Sequence, residues 1–237
     1  MTDHAHVLVT TPHPDDAETR FAGSVAKWTH EGKNVVYVVI SNGDKGTNDP
    51  TMRPEELAAT REKEQLAAAE ILGIKEVVFL RYPDQGLENT PELRRDIVRQ
   101  IRIFKPDIVV TVDPHGRYMD HRDHRIAGYA TVEAVYPAAG SAYAFPELLD
   151  EGLKPHRVSE MLFSGRMQNN YFEDISDTID VKVSAIRCHR SQVGERPDFG
   201  EMLKNMARMN AQDLDFEYAE GFHREIIRWK PFSYSIQ

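Results

Sequence analysis

A Rossmann-like, three-layer α/β fold, with a mostly parallel central sheet and helices on both faces, is predicted by three features of the chain. Short apolar runs rich in β-branched residues recur along it, and their continuity suits buried parallel strands better than half-exposed ones. Segments whose apolar residues repeat at helical spacing lie between the runs. Strand and helix therefore alternate, which implies right-handed crossovers and an open sheet covered on both sides. At 237 residues, 41% of them hydrophobic and 28% charged, the chain has the length and composition expected of one α/β domain spanning 1–237.

The elements follow in order. Val7–Thr11 forms the first strand, and Phe21, Val25 and Trp28 mark the buried stripe of the helix after it. Val35–Ile40 is the second strand. Pro54 and Glu55 open a second helix that runs through Leu57, Leu66 and Leu72 and stops at Gly73. Val77–Leu80 is the third strand. Thr90 and Pro91 make a cap and first-turn pair for a helix with the stripe Leu93, Ile97, Ile101 and Phe104. Ile108–Val112 is the fourth strand, residues 123–136 a fourth helix, and Met161–Phe163 a fifth strand. Residues 137–158, with Gly140, Ser141, Pro146, Gly152 and Pro155, read as a loop or short-helix insertion and a candidate lid. Tyr143 and Phe145 within it are candidates to shape a pocket, or else a satellite packing cluster under the loop. Met202, Met206 and Met209 form a stripe suited to core or subunit-contact packing.

Several function classes are disfavoured at once. The formal charge of −9, without a concentrated basic stripe, argues against a nucleic-acid or anionic-membrane partner. Cys188 is the sole cysteine, so no internal disulfide forms. The N-terminus lacks a basic region followed by a long apolar stretch, and no apolar run approaches the roughly 20 residues that span a bilayer. A soluble, cytoplasmic protein is the expectation.

Ligands of open α/β sheets bind beyond the carboxyl ends of the strands. Three polar clusters fall there: His13-Pro14-Asp15-Asp16-Ala17-Glu18, Ser41-Asn42-Gly43-Asp44-Lys45-Gly46, and Asp113-Pro114-His115 with Asp120-His121-Arg122-Asp123-His124. A dinucleotide site would want a glycine-rich turn after the first strand, where this chain has histidine and carboxylates. His13 and Asp16 are three apart across a strand-to-helix turn, and His121 and His124 three apart on a helical first turn. His13, Asp16 and His124 would supply the three histidine and carboxylate ligands of a catalytic zinc, leaving a fourth position for water. Asp15 and His121 are then of the right type for proton transfer. Blander roles compete: Asp15 and Asp16 also suit helix capping, and the histidines a solvated surface.

Pro12-His13-Pro14-Asp15-Asp16-Ala17-Glu18 resembles the signature of the LmbE-like (PIG-L) N-deacetylase family. Ser41–Thr47, Arg61-Glu62-Lys63-Glu64, Tyr82-Pro83-Asp84, His121–His124, His189–Val193 and Tyr218–Phe222 resemble its later blocks, in order, over nearly the whole chain. The resemblance implies one Zn2+ on His13, Asp16 and His124, Asp15 as general base, and a protonated His121 stabilising the oxyanion or protonating the leaving amine. It further implies that Asp123 orients an imidazole and that Arg61 and Asp84 contact sugar hydroxyls, although Arg61 also suits surface ion pairs with neighbouring glutamates. Asp44, in the second polar cluster, is a further substrate-binding candidate. The implied substrate is a small, sugar-like amide such as an N-acetylglucosamine derivative, with a thiol conjugate or antibiotic-type amide as the alternative. The implied assembly is a homo-oligomer, a hexamer on the pattern of relatives. Arg20 departs from the small residues usual after the signature, and Met119 and Asp120 stand immediately before His121, where relatives often have a tyrosine or asparagine, with Tyr118 one position further back. Two rival classes, a non-haem iron oxygenase and a non-catalytic metal- or sugar-binding module, share the ligand types. The alternating fold argues against the first, and the retention of Asp15 and His121 against the second.

Overall fold

The structure, a computed structural model, describes residues 4–116, 120–165, 168–194 and 196–229. Five strands, β1 (Val7–Thr11), β2 (Val35–Ser41), β3 (Glu76–Tyr82), β4 (Ile108–Val112) and β5 (Glu160–Ser164), pair in parallel in the order β3-β2-β1-β4-β5. Two strands absent from the sequence expectation, β6 (Tyr171–Asp174) and β7 (Ala219–Ile226), complete a seven-stranded sheet beyond β5. β7 runs antiparallel to both its neighbours, and charged residues break up its apolar pattern, so no continuous run announces it.

Helices α1 (Asp16–His30), α2 (Pro54–Ile71), α3 (Pro91–Phe104) and α4 (Arg122–Glu133) follow β1 to β4 in turn. Neighbouring side chains of the central strands feed opposite faces. Val7, Val9, Val35 and Tyr37 join Phe21, Val25 and Trp28 of α1 in one core. Leu8, Val38 and Val109 join Leu93, Ile97 and Ile101 of α3 in the other. Full burial of each such aliphatic side chain stabilises by about 1.5–3 kcal/mol. Thr90 caps α3 as expected, its hydroxyl accepting the Leu93 amide at 3.2 Å.

Three expectations are corrected. On α2, Leu57 is buried but Leu66 is 51% exposed; Arg61, Gln65, Ala68 and Ala69 face inward instead. The expected fourth helix ends at Glu133 and passes into a π-helical turn, Ala134–Ala139. The 137–158 insertion is no lid. It packs beneath the sheet, where the His156 amide bonds the Ala139 carbonyl and the His156 Nε2 meets the carbonyl of Pro106, just ahead of β4. The buried Arg102 of α3 fastens it by donating to the carbonyls of Ala138, Ser141 and Ala144. Tyr143 points into solvent and Phe145 packs on the second core. After the short helix α5 (Glu147–Asp150), the chain enters β5.

The remaining helices, α6 (Ile179–Ile186), α7 (Arg190–Val193) and α8 (Phe199–Asn210), pack beside α1, α2 and β7. Met202, Met206 and Met209 of α8 are exposed, so the stripe is not core. No helix among the described residues is long and apolar enough to cross a membrane. The sheet order reverses direction at β1, with β2 on one side and β4 on the other. At such a switch point the loops beyond the strand ends diverge and open a crevice.

Candidate active site

The loop leaving β1 enters α1 through Asp15, whose backbone is left-handed at φ 94° and whose side chain makes no cap hydrogen bond. For a residue with a Cβ this conformation is strained and needs support. The Asp15 amide donates to Gln65 Oε1 (3.3 Å), its carbonyl accepts from the Thr19 amide and hydroxyl (3.0 Å each), and its Oδ1 lies 3.1 Å from Arg61 Nη2. Burial, then the charge of Asp16, pushes the Asp15 carboxyl up to about 7, against the pull of Arg61, His189 and His13.

Asp16 begins α1 and His124 lies in the first turn of α4, so the crevice brings them together. Asp16 Oδ2 is 3.0 Å from His13 Nδ1 and 3.2 Å from His124 Nε2. Those spacings are close to the roughly 3.3 Å between ligand atoms of a tetrahedral zinc with bonds near 2.0–2.1 Å. Burial opposes the ionised Asp16, but the charge of His124 and hydrogen bonds from both imidazoles hold its carboxyl well below the usual range. Burial likewise opposes the His13 imidazolium, yet Asp123, Asp16 and Asp84 outweigh it and raise His13 to about 11. So many carboxylates around one buried ring demand a cation, which a proton or a metal ion can supply.

Two sets of three donors come within ligating distance of one another, His13 with His121 and His124, and His13 with Asp84 and Asp123. The second set is wholly buried, and backbone amides already occupy it: Lys45 N donates to Asp84 Oδ2 (3.2 Å) and Gln85 N to Asp123 Oδ2 (2.6 Å). His13 Nε2 stands 3.0 Å from Asp84 Oδ1 and 3.5 Å from Asp123 Oδ2. The two carboxylates hold the Nε2 side of the ring, which leaves Nδ1 to face Asp16. At the open side, His13 and His124, together with Asp16 or His121, are donors that could hold a metal ion.

His121 caps α4, its Nδ1 accepting the Asp123 amide at 3.1 Å. That bond assigns the proton of the neutral ring to Nε2. Burial, and then the charges of His13 and His124, lower its pKa.

A cleft of about 260 Å3 fronts these groups, lined also by Lys45, Gly46, Arg61, Gln85 and Gln192. Arg61 is buried rather than paired on a helix surface, donating to Gly43 O (2.9 Å) and Pro14 O (2.5 Å). Gly43, at φ 63°, leaves it room, since a Cβ there would stand 2.5 Å from Arg61 Nη1. Asp84 lines the cleft edge with both oxygens turned toward protein groups, and Asp44 is not among the lining residues. Arg20 reaches back, its Nη2 3.1 Å from His124 Nδ1. Tyr118 and Met119 lie outside the described residues.

Sequence reasoning missed the support behind Asp15. Gln65 Nε2 donates to Glu18 Oε1 (2.8 Å), and Glu18 Oε2 lies 3.3 Å from His189 Nε2, all three residues fully buried. The usable signal was Gln65 falling one turn after Arg61 on α2.

Comparison with known proteins decides the family. Residues 8–135 match the PIG-L model, described as GlcNAc-PI de-N-acetylase. The chain is 38% identical over 225 residues to the diacetylchitobiose deacetylase of Thermococcus kodakarensis, covering 93% of this chain and 83% of that protein. This chain belongs to the PIG-L family. It is a metal-dependent N-deacetylase, a hydrolase of amide carbon–nitrogen bonds. The deacetylase superposes on the N,N'-diacetylchitobiose deacetylase of Pyrococcus horikoshii with a TM-score of 0.88 and 32% identity, over 98% of this chain and 88% of that one. It also shares its fold with a 4-carboxy-2-hydroxymuconate hydratase from Pseudomonas putida (TM-score 0.79, 20% identity, 98% and 99% covered). The fold alone does not fix the reaction, since it hosts other chemistry.

Proposed function

We propose that this deacetylase uses zinc to remove the acetyl group from the amide nitrogen of a small N-acetylglucosamine-containing sugar. The observation that carries the reading is a strained, half-buried carboxylate, Asp15, set beside a cation-demanding cluster of His13, Asp16 and His124. The names of the relatives point to the sugar.

In this proposal His13, Asp16 and His124 hold the zinc, with Asp84 and Asp123 orienting His13. A bound zinc supplies Lewis acidity and lowers the pKa of water from 15.7 toward about 7. Asp15 takes a proton from the attacking water as its oxygen bonds to the acetyl carbon. The Nε2–H of His121 donates to the oxyanion that forms on the former carbonyl oxygen, a contribution of about 2.7–4 kcal/mol for one well-placed donor. The carbon–nitrogen bond then breaks, and the amine leaves with a proton returned from Asp15 or passed on by His121. Arg61 fixes Asp15 and the loop around Gly43. Lys45, Gln85 and Gln192 face the cleft where sugar hydroxyls would lie. A cytoplasmic homo-oligomer, hexameric on the family's pattern, completes the proposal.

The test is a screen of zinc-loaded protein on N-acetylglucosamine, its short oligomers and its glycosides, measuring released acetate and free amine. Equimolar acetate and amine from any of them is expected. Intact substrate throughout, with zinc bound, would overturn the sugar reading.

A further inference from the structure

A second cavity, of about 230 Å3, opens between α4 and the strands β5 and β7, and it shares no lining residue with the catalytic cleft. Asp113, the residue after β4, forms part of its wall. The polar cluster Asp113-Pro114-His115 stands at a strand end, yet the proposed reaction does not use it. Asp113 is firmly placed. Its amide donates to the Ser164 carbonyl (3.0 Å), and its Oδ1 accepts the His115 amide (2.8 Å). Gly165 lets the strand ends close around it, since a Cβ there would stand 2.5 Å from Asp113 Cβ. The other oxygen, Oδ2, is buried without a hydrogen-bond partner among the described residues, on a residue only 7% exposed. Buried polar atoms left unpaired are rare in folded proteins, and this one faces a cavity from which a donor can reach it.

The rest of the lining selects that donor. His223 and Glu225 of β7 pair with each other, His223 Nε2 standing 2.8 Å from Glu225 Oε1, while His223 Nδ1 lies 3.2 Å from the Gln168 carbonyl. Those bonds, to Glu225 first and then to Gln168, raise the His223 pKa. Even with His223 charged, Glu225 matches it, and the charge of Asp113 is left over. His115 turns its Nδ1 to the Tyr129 hydroxyl (3.3 Å). The remaining walls are apolar: Phe163 of β5, Val132 of α4 and Pro114. A phenyl face attracts an organic cation, and the aliphatic walls suit its carbon chain. An anion would meet the leftover negative charge. A metal ion finds no ligand set here, because both groups of three donors within ligating distance among the described residues lie in the catalytic crevice.

We propose that this cavity binds a small organic ammonium ion, whose N–H donates to Asp113 Oδ2 and whose hydrocarbon part packs against Phe163, Val132 and Pro114. At about 230 Å3 the cavity falls below the roughly 300–1,000 Å3 of pockets for drug-sized ligands, so the occupant is a compact amine. The site does not depend on the deacetylase reading. It does share a helix with the catalytic crevice, since α4 carries Val132 in this wall and His124 in its first turn.

The experiment titrates the protein with n-butylammonium, 1-butanol and butyrate at constant ionic strength. Calorimetry gives affinities, and the NMR signal of the His223 Cε1 proton reports on the cavity itself. The same titrations are run on Asp113→Asn, which keeps the Oδ1 acceptor for His115, and on Val132→Trp, which fills the cavity from α4. The parent is expected to bind the amine about tenfold or more tighter than the alcohol or the carboxylate, with the His223 signal moving for the amine alone. Asp113→Asn should weaken amine binding by about tenfold or more, the loss expected for a hydrogen bond between charged groups. Val132→Trp should abolish it. The two substitutions lie on different elements, so if circular dichroism shows one to be misfolded the other decides. Equal affinity for the three probes, an unmoved His223 signal, or parent-like amine affinity in either folded variant would overturn the site.

Discussion

Replacing Asp15 by asparagine removes a proton acceptor while keeping the size and shape of the side chain. The atoms proposed to hold metal, on His13, Asp16 and His124, are untouched, and the backbone bonds from Asp15 to Gln65 and Thr19 do not involve its side chain. Zinc content should therefore stay at the parent level. Loss of a general base costs about 10²–10⁴-fold in rate, or roughly 2.7–5.4 kcal/mol of barrier. Stability should move the other way. A carboxyl whose folded pKa is raised to about 7, chiefly by burial, costs stability progressively as the pH climbs from its ordinary value near 4. Neutral asparagine removes that cost, offset in part by the lost ion pair with Arg61. At pH 8 the variant should melt at or above the parent while its kcat collapses. Acetate release, metal analysis and a thermal melt on one preparation check all three. Turnover at the parent rate would refute Asp15 as the base; loss of zinc would refute the separation of base from ligands.

The other perturbations test neighbouring parts of the argument. Asp84→Asn should weaken zinc affinity by about 10–100-fold, as expected for the carboxylate partner of a ligating histidine; a raised KM at unchanged zinc affinity would return Asp84 to contact with the sugar. Glu220→Ala strands the buried Lys182 charge and should cost about 3–5 kcal/mol, lowering the melting temperature by roughly 6–20 °C. A melting temperature within a degree of the parent would contradict it. Burial opposes the ionised Glu173, but Lys27, Tyr171 and Trp28 hold its carboxyl below the usual glutamate value. Its contribution is therefore present above about pH 4.3 and lost as the pH falls. The stability gap between parent and Glu173→Gln should shrink on acidification, and a gap independent of pH would remove Glu173 from the acid response.

What was legible in the sequence tracks what hydrophobic patterning can report. β1 and β4 begin and end at the expected residues because strands buried on both faces write themselves as unbroken apolar runs. Polar interiors leave no such trace. α2 turns Arg61 and Gln65 inward because they serve the crevice, so its apolar stripe pointed at Leu66, which lies in solvent. β7 pairs on both edges yet carries charge along half its length, and it went unseen for the same reason. At the site, spacing brought His13, Asp16 and the His121–His124 pair into view. The placing of Asp84 behind His13 depends on the β3–α3 loop folding against β1, which no local pattern encodes. The 137–158 insertion looked functional because it is long and rich in turn residues, but its place beneath the sheet is set by the buried guanidinium of Arg102, an interior contact that sequence spacing does not reveal.

The central claim is that His13, Asp16 and His124 hold one catalytic zinc. Metal analysis of the purified protein beside His124→Ala, with acetate release followed through chelation and zinc return, tests it most directly. The account predicts one zinc per chain in the parent, activity lost on chelation and restored by zinc, and neither zinc nor activity in a folded His124→Ala. A full complement of zinc in His124→Ala, or deacetylation that survives complete removal of metal, would contradict it.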